Sequence, residues 1–397
     1  MDHILVTPVM ASIGSGSTQP FTVTGYTVKD NVVAIRGATW ASSNTSVATV
    51  SSLGVAAGIG AGVATISATT EGKTSNATLV VTTAASCKLV DGTEPRSTSA
   101  FAKPGYLQAV SEPDFLTRLV RVGGDPGTPI GNGVGGTWGQ EAKHNYSKDP
   151  AWSADQKLIV LKYMDGAVGG DLYLDGDSYR PLFVRRRPGV ETRWHPTLPD
   201  VMVYVTSAGG VGHWNARTDV STTKFAAAGY GGAHMGPWEG NVSYDGRYVA
   251  VTATRAADGR LVAYVVDIDA GTKGPDIDLA AQGVTNLDWV SVSALGGYVV
   301  VFGTINGLVA REKVLTKSGA LVADWSDLKL GHFDLGVDAA GNEVAFGAVA
   351  GVTDAKRFIM RRLADGVITP LTPPVSYNTH ASTRNNKRPG WGYIATN

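Results

Sequence analysis

Seven histidines are spread along the 397 residues, and five of them share a position. His144, His195, His234, His332 and His380 each stand near the start of a strand-like run that precedes an apolar one. Neutral imidazole is the commonest metal ligand and a good base near pH 7. Glu239, Asp288 and Asp334 occupy comparable places and could orient or supplement the rings. Trp194, Trp238, Trp289 and Tyr146 add flat apolar faces of the kind that hold sugar rings. The candidate ligand-binding set is therefore His144, Trp194, Trp238, Glu239 and Asp334, with the remaining imidazoles beside it. The competing reading is structural, with His and Asp near a first strand hydrogen-bonding the backbone of a neighbouring unit. His213, in "GGVGHWNAR", reads as a surface residue on an outer strand, and "DGD" at Asp175–Asp177 as a hairpin turn.

These residues can meet only if the chain brings distant segments together. Aligned against itself, it shows units beginning at His144, Arg193, His234, Asn286, Gly331 and Asn378. Each unit has a short strand, a turn marked by Asp or Gly, and an apolar strand near Ile159, Val203, Val249, Val299, Val344 or Tyr393. The spacing of about 45–50 residues is the period of a four-stranded propeller blade. Two further strands follow each unit, as in "LVAYVVDIDAGTKGPDIDL", but the last unit ends after two. The strand-like runs in 105–123 have no unit before them, and the economical reading is that they complete the last blade. This predicts six blades, closed by pairing of N- and C-terminal strands. Seven are expected if 86–140 hides a degenerate unit, and a truncated last blade is the competing explanation. In a propeller the first strand of each blade is innermost, so the five histidines would converge at one end of the axis.

Composition agrees with an all-β chain. Glycine is abundant at 50 residues, charged residues are 17%, and no helix longer than a turn or two is expected. Net charge is zero and the one basic block is Arg185–Arg187, which argues against nucleic-acid binding. Cys87 is the single cysteine, so no disulfide framework forms within the chain. No apolar run approaches the roughly 20 residues needed to span a membrane. "MDHILVTPVMASIGSG" lacks a basic start and reads as a strand, not a signal peptide. A Gly-x-Ser-x-Gly elbow, His-Glu-x-x-His, a Walker loop and a strand-linked G-x-G-x-x-G are all missing, so serine-triad hydrolysis and nucleotide binding have no support.

Residues 3–83 alternate like a small sandwich, and 84–100, rich in Ser, Thr and Pro, read as a linker to a propeller over 101–397. "ATWASSNTSVATVSSLGVAAGIGAGVATISATTEGKTSNATLVV" closely resembles the bacterial Ig-like domain, group 2. Trp40, Gly54, Gly62 and the final "ATLVV" keep that family's order. The resemblance implies a display or spacer module without chemistry, on a bacterial surface or a phage particle. The paired form of the later repeats resembles bacterial TolB/WD40-like propellers, and "GH" at Gly331–His332 matches a structural WD40 feature.

Histidines at blade starts before an apolar strand are also loosely similar to propeller polysaccharide lyases of the oligogalacturonate lyase type. That resemblance implies a divalent metal, manganese or calcium, on His234, His332 and His380, with His195 or Arg384 as the proton acceptor. Two functions are thus expected. The first is a surface-exposed binding protein in a virion or on a cell, whose partner is a glycan or a neighbouring structural subunit, with homo-oligomerisation open. The second is a secreted lyase acting on uronate-containing glycans.

Overall fold

The computed structural model describes residues 1–28, 31–82, 99–112, 114, 117–164, 169–325, 327, 330–349, 357–372, 379–383 and 393–396. Every regular element among them is a β-strand, as the composition leads one to expect. No helix is long and apolar enough to cross a membrane. Cys87, Arg384 and nearly all of the linker lie outside the described residues. The contacts divide the chain into two units: 1–123 with 177–180, and 124–176 with 181–397.

In the first unit the strands alternate buried and exposed residues, as a sandwich requires. Gly62–Thr70 pairs antiparallel with Lys73–Thr82, which also takes Met10–Gly14 as a parallel neighbour. Val6, Phe21, Ile66, Leu79 and Val81 form its core, with Trp40 packed against them. Farther along, Ala109–Ser111 pairs with Arg118–Val120.

The second unit is a β-propeller; among the described residues six sheets follow the six units read from the sequence, and two short two-stranded ladders, Pro129–Gly131 with Val134–Thr137 and Ala142–Lys143 with Tyr163–Met164, lie beside the first. The first blade holds Leu158–Leu161, Asp171–Asp175 and Pro181–Arg185, extended by a bridge from Trp152 to Ile159. The second holds Glu191–Trp194, Val201–Val205, Val211–Asn215 and Val220–Phe225. The third starts at Tyr230–His234 and centres on Tyr248–Arg255 and Leu261–Asp267. The fourth runs from Val284–Val292 to Leu321–Trp325, and the fifth from Leu330–Val337 to Ile368–Pro370. The sixth shows two strands, Thr379–Ser382 and Tyr393–Thr396. The expected closing pairs between 105–123 and the C-terminal strands lie partly outside the described residues. Asp175 and Asp177 flank a hairpin turn, as expected.

Side chains complete the ring in order. Trp194 Nε1 donates to Ala151 O at 3.1 Å, joining the second blade to the first. Glu191 accepts the Met235 N–H at 2.7 Å, joining second to third. Asn241 N donates to Ser291 Oγ at 3.1 Å, third to fourth. The Trp289 and Phe333 rings meet at 4.8 Å, fourth to fifth. Asp334 accepts from Thr383 N at 2.9 Å, fifth to sixth. Tyr146, just before the first blade, then meets the edge of His380 in the sixth at 5.2 Å. Between blades the packing is apolar: Leu158, Val160, Tyr173, Trp194, Met202 and Trp214 make one continuous cluster from two sheets. Strands buried on both faces read as unbroken apolar runs, which is why "VVVF" and "YVAV" marked the blade centres.

Candidate functional site at the start of the inner strands

The inner strands of the third, fourth and fifth blades do not run straight to their ends. Their registers slip between Gly231 and His234, between Leu287 and Trp289, and between Gly331 and Asp334. Each slip is a bulge, which leaves a residue unpaired and re-aims its side chain. Asp288 and His332 are the residues so displaced, and His332 has a φ of +47°. Opposite Asp288 stands Gly303, where a Cβ would lie 2.3 Å from Asn286 O, so only glycine lets the bulge close.

Toward these bulges comes the segment before the first blade. Tyr146 Oη lies 3.0 Å from His332 Nδ1, and the His332 and His380 rings are 4.1 Å apart. Lys148 is buried; its Nζ donates to Glu239 Oε2 at 2.6 Å and stands 4.0 Å above the Trp289 ring. Asn241 Nδ2 donates to Lys148 O at 2.6 Å and fixes the segment. Four blades and the segment before the first thus supply one cluster of Tyr146, Lys148, Glu239, Asp288, His332 and His380.

Burial shapes its electrostatics. Loss of water holds Lys148 below the ordinary lysine range, against the pull of Glu239 and Asp334. Tyr146 is pushed well up by burial and by the nearby carboxylates Glu239 and Asp288. The Asp288 carboxyl is raised by desolvation first and by Glu239 second, with Lys148 and His332 opposing. His380 is lowered by burial and by its neighbour His332.

Beside the cluster, Trp238 is 57% exposed and holds a φ of +66°, a rare conformation for a bulky residue. The turn before it needs Gly236, where a Cβ would stand 1.6 Å from Val290 O. Buried Arg193 donates from Nη2 to Trp238 O at 2.6 Å. Arg193 is itself held by Glu191 at 3.5 Å and Asp149 at 3.8 Å, and Asp149 binds Lys162 at 2.6 Å. His234 lies against Trp238 at 4.8 Å with its Nδ1 3.3 Å from Glu191 Oε2. A buried ionic chain therefore runs from the first blade to the exposed indole.

The structure gathers some of the sequence candidates and disperses others. His332, His380, Glu239 and Trp238 sit at this end of the ring. His144 stands two residues before Tyr146, with its Nε2 3.1 Å from Tyr146 O. Trp194 is no platform: it is 1% exposed and belongs to the apolar seam of the first two blades. Asp334 is buried and spent on the backbone, accepting from Leu335 N and Thr383 N. His195 is a structural histidine whose Nδ1 accepts from Leu198 N at 3.1 Å, with Gly246 packed on its ring. Burial and the adjacent His213 push it down to about 4. His213 is partly buried, 5.1 Å from His195, and not the free surface residue its strand suggested. The expected metal set is not assembled, because His234 faces Glu191 and Trp238 while His332 meets Tyr146. Among the described residues no three His, Cys, Asp or Glu side chains are grouped to hold an ion, so we derive no step through a metal. Lys148, Arg193 and Glu191 were not singled out in the sequence.

Comparison with known proteins adds to the first unit. Residues 1–97 match the bacterial Ig-like domain (group 2). The first unit carries that domain, as its sequence pattern led one to expect. No curated protein matches the chain. Among solved structures, an oligogalacturonate lyase in complex with manganese aligns with a TM-score of 0.45 at 14% identity, over 61% of this chain and 69% of that one. An oligogalacturonate lyase from Vibrio parahaemolyticus aligns at 0.47 and 12% identity, over 70% and 74%. TolB from Acinetobacter baumannii aligns at 0.34 and 12%, over 58% and 53%. At this distance the likenesses carry nothing about chemistry, and the site is argued from its own residues.

Proposed function

We propose that the chain is a glycan-binding protein whose propeller presents Trp238 as a stacking platform and whose Ig-like domain displays it on a cell or virion surface. One observation carries the reading. A large apolar ring stands exposed on strained backbone, and a buried arginine from the preceding blade keeps it there. Such strain costs of order 1–3 kcal/mol and persists only where the surroundings over-determine it, commonly at ligand sites. Glu239, Asp288 and the His332–His380 pair supply hydrogen-bonding groups around the platform, as sugar hydroxyls require.

The magnitude can be set. A sugar ring covering roughly 80 Å² of indole, at about 25 cal/mol per Å², gains about 2 kcal/mol, or roughly thirtyfold in affinity. Screening the full chain on a glycan array identifies its ligands, and Trp238→Ala should then weaken them by at least tenfold with an unchanged melting temperature. Equal binding by parent and variant removes the reading.

A second reading, β-elimination on uronate polymers, draws on one observation: Tyr146, His332 and His380 form a contiguous group able to move a proton. Its test is absorbance of the unsaturated product after adding polygalacturonate. No absorbance gain over buffer removes it.

A further inference from the structure

A groove of about 320 Å³ opens beside the cluster on the fourth blade. Asn286, Asp288 and Thr304 line it with polar groups, and Leu287, Phe302 and Val309 with apolar ones. The volume is at the small end of ligand clefts, and the mix of one apolar face with hydroxyl-reading groups suits a sugar ring. Asp288 ties this groove to the cluster: it lines the cavity and also lies within electrostatic reach of Glu239, Lys148 and His332. The bulge opposite Gly303 is what turns it into both.

We infer that this groove is a second subsite of the same mouth and takes the next unit of an oligosaccharide, one that carries no carboxylate. This rests on the reading of Trp238 as a glycan platform. The chemistry decides the class of unit. No cation lines the groove. Lys148, whose charge acts on Asp288, is already committed to Glu239 at 2.6 Å. Asp288 makes no hydrogen bond or ion pair among the described residues. A uronate placed here would meet an uncompensated carboxylate and pay for desolvation with no counter-charge. A neutral hexose, or one bearing an amine, donates hydrogen bonds to Asp288 and meets the apolar lining of Leu287, Phe302 and Val309.

Calorimetric titration of the full chain with glucose, cellobiose and cellotetraose, and with galacturonates of the same lengths, tests this. The neutral series should gain at least tenfold in affinity from one unit to four. Val309→Trp, at a position 63% exposed, fills the groove and should remove that gain. Galacturonates should bind at least tenfold more weakly than neutral sugars of equal length, and Asp288→Asn should narrow the difference at least threefold. Affinity independent of length, a Val309→Trp variant that keeps the gain, or tighter binding of galacturonates overturns the inference while leaving Trp238 as a platform. Failure of every probe to bind the parent overturns the platform reading as well, and this inference with it.

Discussion

Replacing Lys148 by Met tests whether the segment before the first blade pins the ring. The Lys148 side chain is 3% exposed, and its ammonium reaches Glu239 on the third blade and Trp289 on the fourth. Met keeps most of the volume and loses the charge. Removing one partner of a buried ion pair typically costs about 3–5 kcal/mol, mostly because the other charge is stranded. Glu239 is 24% exposed, so water compensates part of that loss. The cation–π contact with Trp289 adds roughly 1–2 kcal/mol when desolvated. A net loss of about 3–5 kcal/mol follows, or roughly 6–20 °C in the melting temperature of a unit this size. Thermal melts of parent, Lys148→Met, Glu239→Gln and the double variant give the coupling directly. The double variant should be less destabilised than Lys148→Met alone, because no stranded carboxylate remains. A Lys148→Met variant within 0.5 kcal/mol of the parent, or strictly additive effects, would refute the pin.

Further expectations concern structure away from the cluster. His195 titrates near 4 in the folded chain against about 6.5 unfolded. Below 6.5 the unfolded chain binds the extra proton, so this residue's contribution is full above that pH and is lost as pH falls toward 4. The loss is about 2 kcal/mol at pH 5, and His195→Gln should flatten that part of the stability–pH curve; parallel curves for parent and variant would show that the ring is not responsible. Trp194→Ala should cost about 3–5 kcal/mol and leave ligand binding intact, read by denaturant melts and titration. Gly236→Ala drives a methyl into Val290 O and should cost about 3 kcal/mol, with ligand affinity falling as the Trp238 turn shifts.

The blades were legible because an apolar strand buried on both faces leaves an unbroken run, and six such runs recur at one period. The ring's closure was harder to read. The contact between the sixth blade and the segment before the first, Tyr146 against His380, is a side-chain pair with no sequence pattern. Trp194 and Trp238 both sat at unit starts, and neighbours separate them. Trp194 lies within "ETRW", a strand buried throughout, while Trp238 lies in "GPWEG", where glycine and proline force a turn. That distinction was available from sequence. The role of Lys148 was not, since a lone lysine in "HNYSKDP" acquires partners only when the third and fourth blades arrive. Nor were the bulges at Asp288 and His332, because a register slip is set by the partner strand.

A crystal structure of the chain with the best glycan from the array tests the central claim most directly. The account expects a sugar ring stacked on the Trp238 indole, with hydroxyls directed to Glu239 or Asp288. Density for the sugar elsewhere, with the indole bare, would contradict it.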